Sequence, residues 1–105
     1  MPSREITKIV KKYKELLQNE KISISKVFLY GSYARGNAQK HSDIDVAVVL
    51  SPKQQSAFEM QVKLRRLANQ VDPRIEPLAI ESLDFKKNHT SIMANEVQKY
   101  GILIP

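Results

Sequence analysis

Apolar positions along the chain alternate between two periods. Over residues 3–19, Ile6, Ile9, Val10, Tyr13, Leu16 and Leu17 recur at helical spacing, with Ser3 placed to cap a first turn, so the segment predicts an amphipathic helix. Residues 26–31 form a short apolar run that stops at Gly31, the pattern of a buried strand. From Gly31 to Ser42 the chain is polar and holds two glycines, which predicts a turn with one helical turn near 32–35. Residues 43–50 are rich in β-branched side chains and predict a second strand, with Ile44, Val46, Val48 and Leu50 on one face and Asp43 and Asp45 on the other.

Helical spacing returns over 54–70, where Ala57, Met60, Leu64, Leu67 and Ala68 share a stripe that ends before Asp72-Pro73. A third strand is expected at 74–80, at a sheet edge or with a bulge, because Pro77 has no N–H to give to a ladder. The last helix is expected at 90–100, with Ile92, Met93, Val97 and Tyr100 inward, Gly101 as its stop and a short tail after it. Helices covering a small mixed sheet make this an α/β (α+β) chain, and 105 residues are read as a single domain spanning 1–105.

Composition narrows the classes. The chain has no cysteine, which excludes disulfides, zinc-thiolate sites and thiol nucleophiles. It has no apolar run of bilayer length and no signal-like N-terminus, so a cytoplasmic protein is expected. A formal charge of +6 favours an anionic partner without saying which, and lysines such as Lys11, Lys12, Lys14, Lys86 and Lys87 read as a solvated surface ahead of a specific basic patch.

The chemistry concentrates in the Asp-x-Asp pair. On a strand, residues i and i+2 project from one face, and two adjacent carboxylates in an apolar strand need a proton or a cation to offset their repulsion. Magnesium suits them, since it takes hard oxygen ligands and shares its shell among carboxylates, water and phosphates. Just before the turn, Gly31-Ser32 offers a backbone that a phosphate can approach and a hydroxyl that can donate, and Arg35 adds a cation. Taken singly these features are ordinary: Asp43 can cap a turn, Gly31-Ser32 can be only a turn, and Arg35 can be solvated.

Other motifs fail. Gly31 and Gly36 have P-loop spacing, but Asn37-Ala38 stand where lysine and serine or threonine are required. An EF-hand loop would need a ligand at Ala47 and glycine at Val48. His41 and His89 are isolated and receive no role.

Gly31-Ser32, ten residues, then Asp43-Ile44-Asp45, with Ala34-Arg35-Gly36 and Ser42 between, resembles the signature of the minimal branch of the polymerase-beta nucleotidyltransferase superfamily. The resemblance runs from about Val27 to Ile80. It implies a polymerase-beta-like fold, two magnesium ions held by Asp43, Asp45 and a third carboxylate, and a nucleoside triphosphate, ATP by family expectation, held by Gly31, Ser32 and Arg35. Glu76 is the candidate third carboxylate, because it interrupts an apolar strand where burial of a charge is costly, while Asp72 has the simpler role of a turn former. The same likeness implies a HEPN-domain toxin as partner and acceptor of AMP, with this chain as antitoxin. A non-catalytic binding module acting through the same partner is the alternative. A basic RNA-binding or RNA-modifying protein is third, since Lys8, Lys11 and Lys12 share a helix face but no aromatic platform accompanies them.

Overall fold

The computed structural model describes residues 4–39, 42–53, 56–82, 85 and 92–105. Ser3, His41, Lys86, Lys87, His89 and the expected starts of two helices at 54 and 90 lie outside them. The elements are α1 (Arg4–Asn19), β1 (Ile24–Tyr30), α2 (Ser32–Arg35), β2 (Ile44–Leu50), α3 (Ala57–Val71), β3 (Ile75–Ile80), α4 (Ile92–Tyr100) and β4 (Ile102–Leu103). They form one four-stranded sheet in the order β3-β2-β1-β4. β1 runs antiparallel to both β2 and β4, while β2 and β3 are parallel. A parallel pair needs a crossover, which α3 supplies, whereas the antiparallel β1–β2 pair is joined by the short segment that holds α2.

Alternation along β2 divides the core. Ile44, Val46, Val48 and Leu50 pack with α1 and α3, through Val10, Tyr13, Leu17, Leu64 and Leu67 among others. Ala47 and Val49 project to the opposite face, where they meet Tyr30, Ile80, Ala94 and Val97. Each side chain moved fully out of water contributes about 1.5–3 kcal/mol, so these two clusters hold the sheet between its helices. The Tyr13 hydroxyl donates to the Leu64 carbonyl at 2.8 Å and ties α1 to α3 inside the first cluster. Lys14 Nζ donates to the Ile104 carbonyl at 3.2 Å and ties α1 to the end of the chain.

Ser56 caps α3 by accepting from the Glu59 N–H, and Asp72 ends it, with Asp72 Oδ1 accepting from the Arg74 N–H in the turn that follows. β3 is an edge strand, one of the two places open to Pro77, and α3 reaches its outer rim through Gln61. Gln61 donates to the Pro77 carbonyl and accepts from the Ala79 N–H at 2.6 and 2.9 Å, so one amide side chain stands in for a neighbouring strand.

Three expectations change. The tail contains a strand, because Ile102 and Leu103 pair with Leu29 and Phe28. Asp43 stands one residue before β2 rather than within it. α4 turns Ala94 and Val97 inward, while Ile92, Met93 and Tyr100 are exposed at 87%, 39% and 53%; alanine and valine are the residues that fit against Ala47 and Val49 on that face. Among the described residues no helix is long and apolar enough to cross a membrane.

Candidate active site

The site forms where β1 ends and β2 begins. Antiparallel pairing sets Tyr30 opposite Asp45, so Gly31-Ser32 and Asp43-Asp45 meet at one end of the sheet by register alone. Parallel pairing sets Glu76 opposite Asp45 from the other side. Tyr30, Asp45 and Glu76 thus make one transverse row across three strands, with side chains on the face away from α1 and α3.

Gly31 has φ 73° and ψ −148°, a conformation open essentially to glycine alone. A Cβ there would overlap Asp45 Oδ2 and lie 3.0 Å from Asp45 Cγ, so the bare backbone of Gly31 leaves room for the carboxylate. α2 starts at Ser32, which is half-buried, and is capped by Gly36, whose N–H reaches the Ser32 carbonyl and whose left-handed φ of 80° brings the Asn37 N–H to the same oxygen.

Negative charge accumulates in the row. Partial burial raises the Asp45 carboxyl above the ordinary aspartate pKa, and the charges of Asp43 and then Glu76 raise it further. The Tyr30 phenol is pushed up to about 12, first by burial and then by the charges of Asp45 and Glu76, and stays protonated at neutral pH. A site whose carboxylates destabilise one another takes up a cation readily, and hard oxygen donors open to phosphate and water fit magnesium. Among the described residues, no three carboxylate or imidazole side chains are gathered closely enough to hold a metal by themselves.

Glu76 stands at the outer end of the row. Its side chain is 48% exposed and paired with Arg65 Nη1 at 2.8 Å, so the burial argument that singled it out does not hold, although its backbone position beside Asp45 does. Strand β3 is at the edge, and an edge side chain reaches water that a central one does not. Asp72, the competing carboxylate, is bound by the Arg74 side chain at 2.9 Å within its turn. Arg35 turns to α4, pairing with Glu96 and lying 5.7 Å from the Tyr100 ring centroid.

Sequence reasoning did not find Tyr30 or Arg65. Tyr30 reads as the last apolar residue of a strand, and only the register shows that it faces Asp45. Arg65 reads as a solvated residue of an amphipathic helix, and only the packing of α3 along β3 brings it to Glu76.

The polymerase beta nucleotidyltransferase family matches residues 11–104. A candidate protein adenylyltransferase of Methanocaldococcus jannaschii is 29% identical over 99 residues, spanning 93% of this chain and 97% of that protein. Among solved structures, the chain is similar to a toxin-antitoxin with AMP-PNP, at TM-score 0.66 and 21% identity over 90% of this chain and 71% of that one. It is also similar to a mutant of the toxin-antitoxin MntA-HpeT, at TM-score 0.64 and 20% identity over 90% of this chain and 71% of the other. At these identities the solved structures share the fold.

Proposed function

The chain belongs to the polymerase beta nucleotidyltransferase family, and we propose that it transfers AMP from ATP to a hydroxyl of a partner protein, a HEPN-type toxin, and so acts in the cytoplasm as the antitoxin of a pair. Residues 1–105 serve as one minimal nucleotidyltransferase domain. The observation that carries this reading is the row of Asp45 and Glu76 beside Gly31, with Asp43 adjacent, at the mouth of a turn suited to phosphate. A relative along nearly its whole length bears a protein adenylyltransferase name, and a chain of the same fold was solved with AMP-PNP.

In this reading Asp43, Asp45 and Glu76 would hold two magnesium ions, which would supply positive charge to the reacting phosphate and the departing pyrophosphate. Gly31 admits the triphosphate to the backbone and the Ser32 hydroxyl donates to it, with Arg35 near the same turn. The acceptor oxygen bonds to the α-phosphorus as the bond from that phosphorus to the bridging oxygen breaks. Pyrophosphate leaves, and the hydroxyl proton passes to the Glu76 carboxylate.

The test is the intact mass of the co-expressed partner. An AMP-sized increment that requires ATP and magnesium is expected, with the rate reduced at least about a hundredfold in Asp45→Asn, the scale on which losing a charge-stabilising group acts. The second reading, neutralisation by binding alone, draws on the prior engagement of Glu76 by Arg65 and Arg35 by Glu96. An unmodified partner held in a tight complex, equally by wild type and Asp45→Asn, would establish it instead.

A further inference from the structure

Arg65 stands outside the row but is joined to it. From the third turn of α3, its Nη1 donates both to the Ile75 carbonyl at 3.0 Å and to Glu76 Oε1 at 2.8 Å. The first bond fixes the guanidinium on the β3 backbone. Gln61, one turn earlier, fixes the same helix to Pro77 and Ala79, so the position of Arg65 along the edge is set at two levels. Glu76 is held less firmly, for its side chain has three torsions and the backbone beneath it is already in register with Asp45. A swing of its carboxylate towards Asp45 would be one of side-chain torsions, with no shift of strand register.

We propose that Arg65 is a latch on Glu76: it keeps this carboxylate out of the aspartate cluster, and a divalent cation entering the site must take Glu76 from it. Arg65 is therefore a positioning residue that sets cation affinity. The proposal rests on the reading of Asp43, Asp45 and Glu76 as the carboxylates that hold the cation. Two observations support it beyond the ion pair. The three carboxylates are not assembled into a cation cage while Glu76 is held by Arg65. Both partners are also close to half exposed, at 43% and 48%, so the pair is weak enough to exchange for a stronger one.

The experiment is Mn²⁺ binding to the full chain with a non-hydrolysable ATP analogue, followed by the paramagnetic signal of free Mn²⁺, with no turnover involved. Arg65→Gln loses the charge and the reach of the guanidinium, so it is expected to tighten Mn²⁺ binding by about twofold to fivefold, the range for an exposed ion pair. Arg65→Lys, which keeps the charge, should remain near wild type. In a Glu76→Gln background, Arg65→Gln should change nothing, since the latch has lost what it holds. A gain that persists in Glu76→Gln would mean that Arg65 acts only as a distant charge, and a loss of affinity in Arg65→Gln would make it an organiser of the ligand; either overturns the latch. If Glu76→Gln itself leaves Mn²⁺ affinity unchanged, the assignment of Glu76 to the site fails. Failure of the latch alone would show weakened binding in Glu76→Gln without tightening in Arg65→Gln. Thermal unfolding of each variant establishes that the comparison is between folded proteins.

Discussion

The Asp45 carboxylate fills the space that a side chain on Gly31 would need: a Cβ there would strike Asp45 Oδ2. The glycine does more than turn the chain. It sets how close the loop approaches the acidic row, and its positive φ is the means.

Gly31→Ala is therefore expected to destabilise the protein by about 1–3 kcal/mol, from the glycine-only backbone conformation together with the overlap at Oδ2. The same change displaces Asp45 and should weaken nucleotide-dependent stabilisation. Urea unfolding with and without ATP and magnesium measures both. Wild-type stability would mean that the turn and Asp45 relax apart at no cost.

Asp45→Asn should stabilise the protein in the absence of divalent cations, with a pH dependence fixed by sign. The Asp45 pKa is raised by folding, through burial and then the charges of Asp43 and Glu76, so its ionised form is the disfavoured one. Below the ordinary aspartate pKa, wild type and variant should be matched. As pH rises through the elevated folded value, wild type should fall behind. Denaturation in EDTA from acid to neutral pH would display this, and magnesium with ATP should reverse the order. A difference independent of pH would remove ionisation of Asp45 as its cause.

Acid should act in the opposite sense at Asp72. The Arg74 side-chain hydrogen bond is the main influence holding the Asp72 carboxyl below the ordinary range, so its contribution is present above the unfolded pKa and disappears as pH falls through the lowered folded value. Asp72→Ala is expected to cost about 1 kcal/mol at neutral pH, a charge-assisted bond discounted for solvent access, and less in strong acid, where a neutral carboxyl keeps only its bond from the Arg74 N–H. Equal stability at neutral pH would show that the turn after α3 holds without this pair.

Tyr13→Phe removes the hydroxyl that joins α1 to α3 at the Leu64 carbonyl while keeping the ring in the core. A loss of about 1 kcal/mol is expected in urea unfolding, with the nucleotide-dependent shift unchanged. A change in nucleotide response would mean that the α1–α3 junction is coupled to the site across the sheet.

Much of this molecule is legible in the chain because its decisive pairings are local. Residues 26–50 encode two strands and a short turn, and a hairpin-like pairing of neighbours brings Gly31 to Asp45 without help from the rest of the fold. The periodicities of α1 and α3 identify their buried stripes for the same reason, since a helix face is written in residues three and four apart. Pro77 marks the edge of the sheet by the donor it lacks.

What the chain does not write locally is decided where distant elements meet. Glu76 interrupts an apolar strand yet is half-exposed, because sheet order leaves β3 at the rim. Arg35 reads as a contact for phosphate and Arg65 as one more cation of a helix, but packing delivers Arg35 to Glu96 and Arg65 to Glu76. α4 buries alanine and valine and exposes its larger apolar residues, because the shape of the face beneath it outweighs hydrophobicity. Sequence alone determined the strand-turn-strand unit and the spacing of Gly31-Ser32 from Asp43 and Asp45, the residues proposed to hold phosphate and cation, through short-range backbone preference. Tertiary structure alone decided that Glu76 and Arg35 are engaged by Arg65 and Glu96, because charges far apart in the chain pair only after folding has set them side by side.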